Sequence, residues 1–237
     1  MLGVVLVFGI AAVAPVVAGQ FSVTPVHIYM APKDRAVAVT ITNEGNEELV
    51  MQSDLYLWKQ KPDGQDDLTL TEELFLSPPI IKLAPKARQV VRLARVIRAA
   101  NAEQLTYRLI VREIPEARPA KAGLELQIAL AFSLPIFITP PSAQGKLVCG
   151  AERVSPDTVK ASCTNSGNAH LRPTAIQINT PSGEKIASDD VGAYILQGVT
   201  RGFELKRKDG KIPPGLAKLQ VSFADGTSQG FDVTIAE

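Results

Sequence analysis

Two cysteines, two histidines and a scatter of arginines are the side chains best able to do chemistry in this chain of 237 residues. His27 and His170 are far apart, neither sits in an HExxH spacing, and no GxSxG turn presents a nucleophilic serine. Metal-dependent hydrolysis and acyl transfer therefore lack their parts. The expectation is a protein that is not an enzyme, with no cofactor, no metal and no small-molecule substrate. Cys149 and Cys163 flank a turn-like Ser155-Pro156-Asp157, so two neighbouring strands could set the thiols opposite each other. In an oxidising compartment they are expected to form a disulfide, contributing about 3 kcal/mol on the loop-entropy estimate. Structural zinc is the alternative, for which two thiols without nearby histidines supply too few ligands.

What remains is the chemistry of association. From Leu124 to Ile138 every even position is apolar: Leu124, Leu126, Ile128, Leu130, Phe132, Leu134, Ile136 and Ile138. A period of two sustained this long is a β-strand pattern. At about 3.3 Å per residue the run would reach about 50 Å, whereas strands usually hold about 3 to 10 residues. Part of it is expected to outrun its own domain. A protruding apolar strand with unpaired backbone groups is an aggregation hazard unless something is meant to pair with it. The stripe thus predicts a tool for binding another protein's β-sheet.

The elements that must hold this stripe are also strands. Short alternating runs separated by Gly, Pro, Asn and Asp recur throughout, and convincing helical periodicity with caps is nearly absent, which predicts an all-β chain of sandwiches. Strands are expected at residues 21–30, 36–42, 49–59, 80–83, 89–96 and 106–114, then the long run. After it they are expected near 146–154, 158–164, 174–179, 200–205, 217–224 and 230–235. From Lys86 to Arg98 a helix would gather Arg88, Arg92, Arg95 and Arg98 on one face, but the β-branched Gln89-Val90-Val91-Arg92-Leu93 after Pro85 favours a strand. Thr139-Pro140-Pro141-Ser142 reads as a stiff linker. Domains are expected at residues 19–139 and 140–237.

Residues 1–18 read as a secretory signal, an apolar run ending in small residues, with a membrane-spanning segment as the alternative. No Lys or Arg precedes that run, a gap that a start codon further upstream would fill. The 25 basic and 24 acidic side chains leave a net charge of +1, so no global field attracts nucleic acid and partner choice must be local.

Phe21-Ser22-Val23-Thr24-Pro25, Val39-Thr40-Ile41-Thr42-Asn43, Tyr107 followed by Arg112-Glu113-Ile114-Pro115, and Leu126-Gln127-Ile128-Ala129-Leu130 leading to Leu134-Pro135-Ile136-Phe137 carry a resemblance. Over nearly the whole chain after residue 18, the sequence resembles the PapD-like periplasmic chaperones of the chaperone/usher pathway, most of all their archaic or sigma-type branch. The resemblance implies two immunoglobulin-like β-sandwich domains at an angle, with a cleft between them. It implies that Leu126, Ile128 and Leu130, with Leu124 added, fill the groove of a pilus subunit lacking one strand, while residues from Leu134 onward stay in the chaperone's own core. The implied partners are pilus or fimbrial subunits and an outer-membrane usher, and a self-capping oligomer is the expected association when the protein is free. Four buried Leu or Ile side chains at about 1.5 to 3 kcal/mol each would supply roughly 6 to 12 kcal/mol before ordering costs.

The family anchors the subunit's terminal carboxylate with two basic residues, and the matching positions here hold His27 and Pro135. His27 could serve when protonated. Arg92 and Arg108, on strands expected near the cleft, are the other candidate anchors, able to make bidentate bonds. Pro135 removes a backbone donor, so a break or bulge in the ladder is expected there. The rival reading is a fimbrial subunit or surface adhesin, which would be expected to lack a strand or carry an N-terminal donor extension.

Overall fold

A computed structural model describes residues 20–96, 102–115 and 128–237, and among these it has seventeen strands and no helix. The first ten are β1 (Phe21–Thr24), β2 (Ile28–Met30), β3 (Ala36–Asn43), β4 (Leu49–Gln60), β5 (Asp66–Leu70), β6 (Leu74–Ser77), β7 (Ile80–Leu83), β8 (Arg88–Arg95), β9 (Leu105–Glu113) and β10 (Ala131–Ile138). They build one sheet in the order β1-β3-β8-β6 and another in the order β2-β10-β9-β4-β5, with β7 also on β4. Next come β11 (Leu147–Ser155), β12 (Thr158–Asn165), β13 (Pro173–Asn179), β14 (Lys185–Asp190), β15 (Thr200–Lys206), β16 (Gly215–Phe223) and β17 (Ser228–Ile235). These build sheets β11-β12-β15 and β14-β13-β16-β17. No sheet mixes the two groups, so the chain is two all-β sandwiches in sequence. Among the described residues only β2 and β10 pair in parallel.

Alternation decides which side chains each sandwich buries. On β4, Leu49, Met51, Ser53 and Leu55 point into the first core, joined by Ile41 of β3, Leu93 of β8, Leu109 of β9 and Leu134, Ile136 and Ile138 of β10. Ile176, Leu205, Leu219 and Val221 hold the second core. Cys149 and Cys163 are direct partners across β11 and β12 and form a disulfide with Cα atoms 4.1 Å apart.

Each sandwich also buries one asparagine at the end of a strand. Asn43, closing β3, donates to the carbonyls of Glu47, Leu83 and Ala84 and accepts from the Gly45 N–H. Asn165, closing β12, donates to Ala169 and Ile195 and accepts from the N–H groups of Gly167 and Lys146. Both side chains are fully buried with both ends of the amide satisfied, as a buried polar group must be. An Asn-x-Gly step thus ties off a loop in the same way in both halves.

Several expectations change in the structure. The run 21–30 is two strands: the chain leaves the first sheet after Thr24 and enters the second at Ile28. Three strands were not expected, β5, β6 and β14. All of β5 is exposed at a sheet edge, where no buried face imposes alternation. The arginine-rich run is a strand, β8, with Arg98 outside the described residues. The long strand begins at Ala131 and has 8 residues. Leu124 and Leu126 lie outside the described residues, and Ile128 to Leu130 belong to no strand. The reason is the partner: β9 ends at Glu113, whose N–H donates to the Leu130 carbonyl at 3.0 Å, and Pro115 soon follows with no N–H to continue a ladder. Pro135 produces no bulge. The register to β9 passes through Pro135↔Arg108 without a shift, and the β2 ladder starts only at Ile136, as expected where an edge strand accommodates a missing donor.

Candidate functional site

The two faces of β10 serve different neighbours. Leu134, Ile136 and Ile138 enter the first core, and Leu130 packs partly against it. Phe132, 40% exposed, meets Phe21 of β1 edge to face, with ring centroids 4.8 Å apart. Ahead of the strand, Ile128 is 46% exposed. On its β2 side, β10 has ladder partners only from Ile136 to Ile138. From Ala131 to Pro135 that edge carries no strand among the described residues. An open edge beside exposed apolar side chains is able to accept a strand from another chain.

The opposite face of β10 leads into the junction between the sandwiches. Phe137 is fully buried although it points away from its own core, because the second sandwich covers it. Its ring stacks on His170 at 3.7 Å and 10°, with Tyr29, Trp58 and Tyr194 around it at 5.6, 6.0 and 5.8 Å. Trp58 on β4, 1% exposed, likewise faces outward from the first core and joins the second. Gln60 and Gln104 lock the two halves together. The Gln60 amide donates to the Tyr194 carbonyl and accepts from the Leu196 N–H. Gln104 Oε1 accepts from the His170 N–H and lies 2.8 Å from His170 Nδ1.

That geometry defines the His170 tautomer. Gln104 Oε1 is already an acceptor, so Nδ1 carries the hydrogen and a second proton could go only to Nε2. Burial pushes the His170 pKa down to about 4, with Arg172 and His27 adding repulsion. The unfolded imidazole titrates near 6.5, so between about pH 6.5 and 4 the unfolded chain binds more protons than the folded one. The stability held by neutral His170 is therefore complete above about 6.5 and is lost as pH falls toward 4. Urea midpoints at pH 7.5 and 4.5 should show a drop that is smaller in His170→Gln; an equal drop in both proteins would remove His170 as the cause.

The basic residues gather at the mouth of this junction. The register places Pro135 beside Arg108, and Ile136 beside Ile28, so His27, immediately before β2, follows Arg108 of β9 and Pro135 of β10 in one line. The Arg108 side chain, 13% exposed, lies over the Trp58 ring with Cζ 3.7 Å from its centroid and a loose ion pair to Asp66 at 3.6 Å. Burial lowers its pKa, against the opposing pull of Asp66. Arg172, from the segment leading into β13, places Nη1 2.9 Å from His27 Nε2. His27 is held below its ordinary pKa by burial, then by Arg172, then by Arg108.

The structure brings His27 and Arg108 together and does not bring Arg92 with them. Arg92 is exposed on β8, opposite Ala38 and Ser77 in the other sheet. Arg172, Tyr194, Trp58 and Phe137 have no periodic signal that marks them, since each owes its place to contact between the sandwiches. Among the described residues no group of three or more His, Cys, Asp or Glu side chains could hold a metal ion.

Comparison with known proteins agrees on the fold. One chain of the crystal structure of the CsuC–CsuE chaperone–tip adhesion subunit pre-assembly complex, from the archaic chaperone–usher Csu pili of Acinetobacter baumannii, is 18% identical with a TM-score of 0.66. That match covers 92% of this chain and 100% of that one. The E. coli chaperone DraB is 15% identical with a TM-score of 0.59, covering 91% of this chain and 96% of its own. The complex of Salmonella enterica SafA pilin with the SafB chaperone gives 12% identity, a TM-score of 0.59, and coverage of 91% and 96%. Curated protein sequences give no match. Residues 20–144, more than half the chain, match the family described as pili and flagellar-assembly chaperone, PapD N-terminal domain. With two immunoglobulin-like sandwiches in sequence and that match over the first, the chain belongs to the PapD family of pilus-assembly chaperones.

Proposed function

We propose that this chaperone captures an incomplete pilus subunit by lending it the stripe Leu124, Leu126, Ile128 and Leu130, and hands it to an outer-membrane usher. One observation carries the reading: among the described residues no strand lies on the β2 side of β10 from Ala131 to Pro135, next to the exposed Ile128. A subunit strand laid along that edge would satisfy the free backbone groups and cover the apolar side chains together. The terminal carboxylate of the subunit is placed at the basic end of the cleft, near Arg108 and His27. No nucleotide is needed, since a competing strand that packs better can displace the lent one.

Chaperones of this family are non-enzymatic and act in the periplasm. We assign residues 1–18 as the export signal, and residues 19–139 and 140–237 as the two domains. Free molecules are proposed to cap the stripe by self-association. A structural subunit of the fibre is not favoured, because the first sandwich carries its own last strand, β10, where a subunit would have a gap.

Amide exchange on the complex recovered from co-expression with secreted pilus subunits tests the reading. Residues Ile128 to Leu134 should exchange at least tenfold more slowly in the complex than in the free monomer. Equal exchange over that segment, with protection elsewhere, would place the subunit on another surface.

A further inference from the structure

The turn between β4 and β5 belongs to the first sandwich, yet its one buried residue is covered by the second. Lys61, Pro62 and Asp63 are exposed, as is every residue from Gln65 to Leu70, but Gly64 between them is buried. A Cβ on Gly64 would lie 2.5 Å from Cγ and 2.9 Å from Cδ of Arg201 on β15, so only a residue without a side chain lets the two come this close. Its φ of +85° is a second reason for glycine. Beside it the Pro62 carbonyl accepts from the Thr200 N–H at 3.4 Å. Gln60 Nε2, at the base of the hairpin, and Arg201 Nη1 both donate to the Tyr194 carbonyl, at 3.2 and 3.4 Å.

The tip is stiff enough to transmit that contact. The Gly64 N–H donates to the Lys61 carbonyl and the Lys61 N–H to the Gln65 carbonyl, both at 2.8 Å. Asp63 Oδ1 accepts from the Gln65 N–H, and Lys61 Nζ donates to Gln65 Oε1. Its place on the sheet gives it leverage. The chain crosses to the second sandwich from the end of β10, where Asn168 donates to the Ala102 carbonyl and accepts from the Gln144 N–H. In the order β10-β9-β4-β5, β4 lies two strands from that crossing, about 10 Å at ordinary strand spacing. Two bodies joined at one side can rock about the join, and a second seat away from it removes the motion.

We propose that the β4–β5 hairpin is a brace between the sandwiches, with Gly64 and Arg201 as its positioning residues: seated on each other, they fix the angle between the domains and so the width of the cleft that receives the subunit. This rests on the subunit-capture reading above. The seat is one of shape rather than charge. The methylene stem of Arg201 fills the space that a side chain at position 64 would need, while its guanidinium reaches the Tyr194 carbonyl. With the angle set beforehand, capture does not have to order the two domains first, a cost that preorganised partners avoid. Loss of the brace weakens capture while leaving the stripe itself unchanged.

Spin labels at two exposed sites, Val90→Cys on β8 and Leu216→Cys on β16, report the distance between the sandwiches in the intact exported protein. The wild-type background should give one narrow distribution. R201A, which removes the stem, and G64A, which collides with it, should each at least double the width, whereas R201K, which keeps Cγ and Cδ, should leave it unchanged. G64A also strains the turn, and the double variant separates the two causes: in the R201A background G64A should add no further width. Unbroadened distances in R201A and G64A, or broadening that is additive in the double variant, overturn the proposal. In co-expression with secreted pilus subunits, R201A and G64A should each lower the recovered subunit at least threefold, and R201K should not. Broadened distances with undiminished recovery also overturn it. If Ile128→Asp abolishes recovery and R201A does not lower it, this inference alone fails; if neither has an effect, the capture reading fails with it.

Discussion

Ile128→Asp should lower the recovery of subunit at least about a hundredfold and leave the free chaperone folded. Burying an isoleucine is worth about 1.5 to 3 kcal/mol, each 1.4 kcal/mol being about tenfold in an equilibrium constant. A carboxylate carried into an apolar groove adds a desolvation cost of several kcal/mol. The free protein should be indifferent, because Ile128 is 46% exposed, lies in no strand and is absent from the first core. Surface changes of this kind usually stay within about 0.5 kcal/mol. Leu130 is a less clean probe, since it packs partly against its own core and its replacement acts on both folding and capture. Tagged pull-down beside a thermal melt separates the two effects. A full yield of subunit with Ile128→Asp would refute the lent-strand mechanism.

Phe137→Ala should cost about 3 to 5 kcal/mol of stability, the range for removing a buried Phe. The ring is fully buried and touches residues of both sandwiches, among them His170, Tyr29, Trp58 and Tyr194. Its loss opens a cavity at the junction rather than inside either core, so the first effect should be on how the domains dock. Small-angle scattering should report a wider radius of gyration, and denaturant unfolding an earlier first transition. The basic cleft is assembled from both sides of this contact, through His27, Arg108 and Arg172, so subunit recovery should fall as well. An unchanged denaturation midpoint and scattering profile would mean that the polar ties at Gln60 and Gln104 hold the domains without it.

Much of the fold was legible because alternation reports burial directly. β3, β4, β7 to β9, β11 to β13 and β15 to β17 lie within a few residues of their expected positions, each having one face on a core and turn residues at its ends. The strands that escaped detection are those without that signal. β5 is exposed throughout, β6 has four residues, and β14 ends in Ser188-Asp189-Asp190. The apolar stripe was visible in the periodicity, whereas its division, with residues from Leu134 kept in the first core, came from the resemblance and not from the pattern. Residues 128–130 repeat the pattern of 134–138 in sequence, yet among the described residues only Ile136 to Ile138 have a ladder partner on both sides. A periodic stripe says that a face will be covered, and is silent on whether the cover comes from the same molecule.

The basic residues show a similar split. Arg92 and Arg108 each sit in an alternating run beside other arginines, and nothing local distinguishes them. Sheet order separates them: β8 belongs to the sheet of β1 and β3, whereas β9 lies next to β10 at the junction. Arg172 lies in no pattern at all.

The sequence by itself determined the β class, the two successive sandwiches, the cysteine pair and the apolar face of the last strand in the first sandwich, because each follows from local periodicity, turn chemistry or spacing. Only the tertiary structure decided why Trp58 and Phe137 are buried on the outward face of their sheet, and which of the arginines meets His27. Those outcomes depend on surfaces brought together from distant parts of the chain, and such contacts leave no period in the residues that make them.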